Sequence, residues 1–102
     1  MIAKAPLQIP KSAVFDRAWR VTHELSETGE LILFDESASE VVMFNEMGAS
    51  IWELIDGKRS VNDIVDFIVS VRERPEERPI IERDVIAFLG QLSERRSIRL
   101  LG

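Results

Sequence analysis

The sequence contains no cysteine and only one histidine. Without thiols the chain has no disulfide, no thiolate zinc site, no cysteine nucleophile and no cysteine-ligated iron–sulfur cluster. His23 alternates with Val21 and Leu25 in a stretch that has the pattern of a strand. A histidine metal site needs further ligands at suitable spacing, and none are evident. We therefore expect His23 to be a partly buried strand residue, and we expect no metal or other cofactor.

The sequence also lacks a long apolar run, a glycine-rich phosphate-binding motif and an excess of basic residues. No run approaches the ~20 apolar residues that span a bilayer, and the first residues lack the apolar core of a signal peptide. We therefore expect a cytoplasmic protein without a membrane partner. The formal net charge of −5 argues against a broad nucleic-acid-binding surface. The carboxylates are mostly interspersed with arginines, which is typical of a solvated surface, so we do not expect an enzyme.

The composition, 45% hydrophobic and 30% charged residues, is typical of one globular domain. Residues 1–19 contain prolines and scattered apolar side chains, and we predict an irregular arm that docks on the domain or on a partner. From residue 20 the apolar period is two residues, which is typical of strands. Short turns connect three such segments, so we predict an antiparallel meander of strands at residues 21–25, 31–34 and 41–44.

After the third strand the apolar period lengthens to 3.6 residues, which indicates helices. Asn45 is a good N-cap for the first helix, and Gly57 is a C-cap signal at its end. Ser60 and Asp63 form a near capping box that starts a second helix. Trp52 is expected to anchor the core between sheet and helices.

The last quarter of the chain begins with a charged, proline-marked loop at residues 72–80. A third helix is predicted from about residue 81 to residue 95, and residues 98–101 form an apolar tail that is either a last strand or a plug under the helices. The order βββααα predicts an α+β, winged-helix-like fold, in which a three-stranded antiparallel sheet packs on a three-helix bundle.

Two places carry more apolar surface than a simple core needs. In the third strand, Val41 and Met43 point to one face and Val42 and Phe44 to the other, although a sheet on helices needs only one apolar face. The arm, a second copy of the chain or an extended peptide could cover the other face. If this strand is a sheet edge, its free backbone groups favour strand addition.

The second place is in the third helix. Ile86 lies roughly 120° from the centre of the apolar stripe and one turn from Gly90. It either lines a shallow groove or is a singly exposed isoleucine, which is common.

From about residue 20 to residue 101 the chain resembles the PqqD-like family of peptide-recognition domains. The resemblance is carried by an ordered set of residues: Phe44-Asn45, Gly48, Ile51-Trp52, Asp56-Gly57, Ser60-Val61, Ile64, Asp84-Val85, Phe88-Leu89 and Leu92. It implies a domain at residues 20–102 after the arm at 1–19, with a three-stranded sheet packed on three helices.

The resemblance further implies a non-catalytic chaperone. Such domains bind the leader of a ribosomally made precursor peptide as an added strand and present it to a modifying enzyme. That enzyme is a radical S-adenosylmethionine enzyme in pyrroloquinoline quinone (PQQ) biosynthesis, or another peptide-modifying enzyme in related pathways. Carried onto this chain, the peptide-binding residues are Val41, Val42, Met43 and Phe44 on the strand and Asp84, Val85, Ile86, Phe88 and Leu89 on the helix.

Two alternatives stay open. The first is a winged-helix DNA-binding protein, although the third helix mixes Glu82 and Asp84 with Arg83, and the loop at 72–80 is long for a helix-turn-helix connection. The second is a structural homodimer built on the apolar third strand and the arm, which is compatible with peptide binding.

Overall fold

A computed structural model describes residues 9–37 and 39–101. The elements in this part of the chain run in the order β1 (Val14–Arg17), β2 (Val21–Leu25), β3 (Leu31–Asp35), β4 (Glu40–Phe44), α1 (Glu46–Leu54), α2 (Val61–Arg72), α3 (Arg78–Glu94) and β5 (Ile98–Leu101), with a 3₁₀ turn at Pro75–Glu77 between α2 and α3.

The central sheet is the predicted antiparallel meander, in the order β2–β3–β4. Gly29 has a φ of +85° in the β2–β3 turn, a conformation that glycine adopts without steric cost. Leu33 of β3 lies opposite His23 on one side and Val42 on the other. Because side chains alternate along a strand, this register places Leu31 and Leu33, both buried, on the face toward the helices.

The helix starts confirm the capping predictions. The Asn45 side chain accepts a hydrogen bond from the Gly48 N–H at 3.0 Å at the start of α1. At the start of α2, the Asp63 N–H donates to the Ser60 hydroxyl at 3.1 Å and the Ser60 N–H donates to the Asp63 carboxylate at 3.0 Å. Helix α1 ends at Leu54, somewhat earlier than predicted, and Gly57 with a φ of +77° forms the turn beyond it.

The predicted start of the third helix was wrong. Helix α3 begins at Arg78 rather than near residue 81, so the loop is shorter than the predicted 72–80. Pro79, which we interpreted as part of the loop, lies in the first turn of α3. Proline is tolerated there because the N–H it lacks has no partner within the helix, and its fixed φ suits the helix.

The prediction that residues 1–19 are irregular was wrong for residues 14–17, which form β1. This strand pairs antiparallel with β5, with Val14 opposite Leu101, so residues 98–101 are a strand. Phe15 of β1 is 6% exposed and belongs to the hydrophobic core. Residues 1–8 of the predicted arm lie outside the described residues, and the domain boundary at residue 20 stays a prediction.

The core lies between the central sheet, the β1–β5 pair and the three helices. Trp52 is completely buried, as are Leu31, Val85 and Leu92, which confirms the expected role of Trp52 as a core anchor. In the part of the chain that the structure describes, no helix combines the length and the apolar character needed to cross a membrane.

Candidate functional site

Strand β4 forms one edge of the central sheet, and none of the described strands pairs with its outer side. The direction of its backbone groups follows from the β2–β3 ladder. The Ser26 N–H donates to the Glu30 carbonyl at 2.8 Å at one end of that ladder, and the Glu36 N–H donates to the Arg20 carbonyl at 3.4 Å at the other. Hydrogen-bonded pairs alternate with non-bonded pairs in an antiparallel ladder. The even-numbered residues of β3 therefore point their backbone groups toward β2, and the odd-numbered ones point theirs toward β4.

The same alternation assigns the backbone groups of β4. Leu33 lies opposite Val42, and Leu31 lies opposite Phe44, so Val42 and Phe44 use their N–H and C=O groups inside the sheet. Val41 and Met43 must then direct their N–H and C=O groups toward the open edge. These two residues offer two donors and two acceptors to an incoming strand.

The side chains of β4 also divide into two sets, as predicted. Val41 and Met43 are 59% and 55% exposed on the outer face of the sheet. Val42 and Phe44 are half-buried on the face toward the helices. The strand therefore has apolar side chains on both faces, and the outer ones lie in water.

A groove of about 590 Å³ lies between the end of β4, the start of α1 and the middle of α3. Its lining mixes apolar and polar residues: Met43, Phe44, Asn45, Met47, Gly48, Ile51, Arg72, Asp84, Ala87, Phe88 and Gln91. Such a volume is typical of sites that hold a small ligand or a few side chains of a peptide.

The floor of this groove is an aromatic pair. The rings of Phe44 and Phe88 meet edge to face, with centroids 4.8 Å apart, a geometry that contributes about 0.5–1.5 kcal/mol beyond area burial. Gly48 makes this approach possible, because a Cβ at that position would lie 2.9 Å from both the Phe44 Cβ and the Phe88 Cε1. The groove therefore depends on glycine at the start of α1.

Four of the predicted site residues meet in this groove: Met43, Phe44, Asp84 and Phe88. Val85 and Leu89 do not line it, because both are completely buried in the hydrophobic core. The remaining three lie elsewhere.

Val41 is exposed on the outer face of the sheet. Val42 lines a small recess beside Arg95 and Ser97. Ile86 lines a separate depression with Arg78 and Pro79, so the structure does not bring Ile86 into the groove with β4.

Sequence reasoning missed several residues of the groove, among them Met47, Arg72, Ala87 and Gln91. A signal for two of them was present. Ala87 and Gln91 lie three and seven residues after Asp84, so they share one helical face with it and with Phe88. The contribution of Arg72, at the end of α2, depends on tertiary packing and has no local signal.

Two further polar side chains lie beside Trp52. His23 is in β2 as expected, but the prediction that it is partly buried was wrong, because the residue is exposed, with its ring centroid 6.0 Å from that of the Trp52 ring. The Arg17 guanidinium lies 4.9 Å from the centre of the Trp52 ring and donates to the Trp52 carbonyl at 2.7 Å. Burial lowers the pKa of Arg17, against the opposing effect of nearby carboxylates. Among the described residues, no group of three or more histidine or carboxylate side chains is placed to hold a metal.

An open sheet edge beside a helix-walled groove defines a class of small α+β recognition domains. Comparison with known proteins then identifies the family. The family model for coenzyme PQQ synthesis protein D (PqqD) matches residues 30–98, and the chain belongs to the PqqD family.

Relatives and solved structures agree with this assignment. The "PqqA binding protein" of Klebsiella pneumoniae is 32% identical over 83 residues, which cover 81% of this chain and 84% of the relative. The fold is similar to that of the PqqD truncation of Methylobacterium extorquens PqqCD, a stand-alone recognition element for ribosomally synthesized and post-translationally modified peptides, with a TM-score of 0.75 at 19% identity over 92% of this chain and 97% of that one. It is also similar to lasso peptide synthetase B1 complexed with the leader peptide, with a TM-score of 0.67 at 25% identity over 86% and 98%.

Proposed function

We propose that this protein is a non-catalytic chaperone that binds the leader of a ribosomally made precursor peptide and presents it to a modifying enzyme. The observation that carries the proposal is the open edge of β4. Val41 and Met43 direct their backbone groups to this edge, and the groove floored by Phe44 and Phe88 lies beside it. Backbone pairing supplies affinity, and side-chain pockets supply specificity.

The relatives support the ligand class. The Klebsiella pneumoniae relative is named for binding PqqA, and the lasso peptide synthetase B1 structure holds a leader peptide. The pathway for this chain is therefore PQQ-type or another modified-peptide biosynthesis. The enzyme that receives the peptide is a radical S-adenosylmethionine enzyme or another peptide-modifying enzyme.

The geometry describes how a peptide strand would lie. Added to β4, it extends the sheet to four strands, and its backbone pairs with Val41 and Met43. Its alternate side chains then face the groove and the outer side of the sheet. The inward side chains meet the Phe44–Phe88 pair, while Asp84 and Arg72 at the rim bind charged neighbours.

The predicted binding residues have different parts in this proposal. Met43, Phe44, Asp84 and Phe88 contact the peptide, and Val41 contributes its backbone groups. The others act indirectly, by holding the strand and the helix in place: Val42, Val85, Ile86 and Leu89. Catalysis belongs to the partner enzyme.

Amide hydrogen exchange measured by NMR tests the proposal. The probes are the PqqA peptide of Klebsiella pneumoniae and linear peptides selected on this protein from a random display library. In the free protein, we expect slow exchange at Val42 and Phe44 and fast exchange at Val41 and Met43. A bound peptide should slow exchange at Val41 and Met43, because their N–H groups then have partners. If a peptide binds and the amides of Val41 and Met43 still exchange rapidly, the peptide does not add to this edge.

A further inference from the structure

A second groove lies on the other side of α1, between α1 and α2, with a volume of about 460 Å³. Its apolar lining includes Met47, Leu54, Phe67, Ile68 and Val71. Phe67 and Val71 are 48% and 67% exposed, so two large apolar side chains of α2 lie in water along this groove. A concave surface with several adjacent apolar side chains is typical of a binding site.

The two grooves are continuous. Met47 and Arg72 line both of them, so a chain that leaves the first groove at these residues enters the second. The junction lies just past the end of β4, because Asn45 follows Phe44 directly and caps α1. A peptide paired with β4 would therefore reach the second groove without a gap.

The direction in which the peptide runs along β4 determines which part of the peptide reaches the second groove. Every strand pairing in the described residues is antiparallel, and we expect the added strand to follow the same pattern. A peptide antiparallel to β4 runs from the Phe44 end toward the Glu40 end. The residues that precede the added strand in the peptide therefore lie beyond Phe44, at the junction of the two grooves.

The charges around the second groove indicate the chemistry of its occupant. Arg59 is paired with Asp56 at 3.0 Å, and Arg72 is paired with Glu77 at 3.7 Å. Glu46 and Glu53 on the α1 side also line the groove, and Glu53 interacts electrostatically with Arg17 as well. The surface is therefore apolar at its floor, with two carboxylates on one side.

We propose that the α1–α2 groove binds the segment of the precursor peptide that precedes the strand-adding segment. The segment places one large apolar side chain against Leu54, Phe67 and Val71, with a basic residue near Glu53. This proposal rests on the proposed function, because the occupant is the same peptide. The α1–α2 groove is then a second subsite, which recognises a part of the leader that β4 does not contact.

The test uses a display-selected peptide that binds Met43→Pro about fivefold or more weakly than it binds Met43→Ala, which marks it as adding to β4. Affinities are measured by fluorescence anisotropy for the whole peptide and for versions shortened at either end outside the strand-adding segment. We expect shortening at the N-terminal end to weaken binding about tenfold or more, the effect of exposing a buried Leu- or Phe-sized side chain. Shortening at the C-terminal end should have little effect.

Val71→Glu provides the matching change in the protein. It should weaken binding of the whole peptide by a similar factor and leave binding of the N-terminally shortened peptide unchanged, because both changes remove the same contact. Ile80→Glu, at a residue that is 54% exposed on α3, is the matched control and should leave both affinities unchanged. Thermal unfolding of both variants checks that these exposed positions tolerate the charge.

The outcomes separate the two proposals. If no selected peptide depends on the β4 edge, the proposed function fails. If such peptides exist but Val71→Glu or N-terminal shortening leaves affinity unchanged, strand addition stands and the second subsite is overturned. The second subsite is also overturned if only C-terminal shortening weakens binding.

Discussion

Replacing Met43 by proline should weaken strand addition strongly while leaving the fold intact. Proline removes the backbone N–H, and the N–H of Met43 points to the open edge of β4, where no described strand pairs with it. Proline is tolerated on an edge strand when its missing donor faces solvent. The residue before it, Val42, is already in a strand, the conformation that proline favours in its predecessor.

The magnitude follows from the hydrogen bond that is lost. A peptide carbonyl left without its donor in a desolvated edge costs about 1–3 kcal/mol, which corresponds to roughly a 5- to 150-fold weaker affinity. Val42→Pro, one residue away, should act differently. Its N–H points into the sheet, toward Leu33, so its loss costs a similar free energy in folding and lowers Tm by roughly 4–24 °C.

The assay combines peptide binding by fluorescence anisotropy with thermal unfolding followed by circular dichroism. Met43→Ala is the control, because Met43 also lines the groove and its side chain is lost in both variants. We expect Met43→Pro to bind much more weakly than Met43→Ala at a nearly unchanged Tm. Equal affinities of the two folded variants would rule out pairing through the Met43 N–H, and a large drop in Tm for Met43→Pro would refute the assigned direction of its backbone groups.

Three further predictions concern other parts of the molecule. Gly48→Ala should lower Tm and weaken peptide binding. The clash of the new Cβ with Phe44 and Phe88 costs about 1–3 kcal/mol of stability, which outweighs the ~1 kcal/mol by which alanine stabilises a helix relative to glycine. An unchanged Tm would show that the two rings move freely. Asp56→Asn should reduce stability above about pH 4 and make the remaining stability less sensitive to acid, as measured by unfolding across pH. Hydrogen bonds from two backbone N–H groups lower the pKa of Asp56 in the folded protein. Its contribution to stability is therefore complete above the pKa of the unfolded state, about 3.9, and is lost as pH falls through the lower pKa of the folded state. Identical pH profiles of stability for the variant and the wild type would contradict this. Arg74→Glu in the α2–α3 connection should leave peptide affinity unchanged in anisotropy measurements, because this residue lies outside both grooves. A large loss of affinity would show that the peptide binds elsewhere on the protein.

Local chemistry made much of the fold predictable. The caps at Asn45 and Ser60 are formed by residues three positions apart, so their signal is complete within one short stretch. The strands of the meander are joined by tight turns, and their period of two is visible in the sequence. The start of α3 was misplaced because Pro79 has the same local signature in a loop and in the first turn of a helix.

Pairings between distant segments were not predictable in the same way. Nothing in residues 14–17 indicates a partner some eighty positions later, so β1 was interpreted as part of an irregular arm. The family resemblance predicted that Val85 and Leu89 contact a peptide, because it assigns binding to the helix that also carries Phe88. Which of them faces a surface groove depends on where α1 and β4 lie against that helix, and both proved to be completely buried.

The sequence by itself determined the class of the fold, the family, and β4 as a strand with apolar side chains on both faces. The fold class and the strand follow from periodicity and short-range spacing, which are properties of neighbouring residues. The family follows from the resemblance of an ordered set of residues to the PqqD-like domains. Only the tertiary structure decided that β4 is a sheet edge, that Val41 and Met43 rather than Val42 and Phe44 point their backbone groups outward, and that the groove beside β4 continues between α1 and α2. The physical reason is that a hydrogen-bonding register and a groove are relations between segments, and those relations exist only once the segments have packed together.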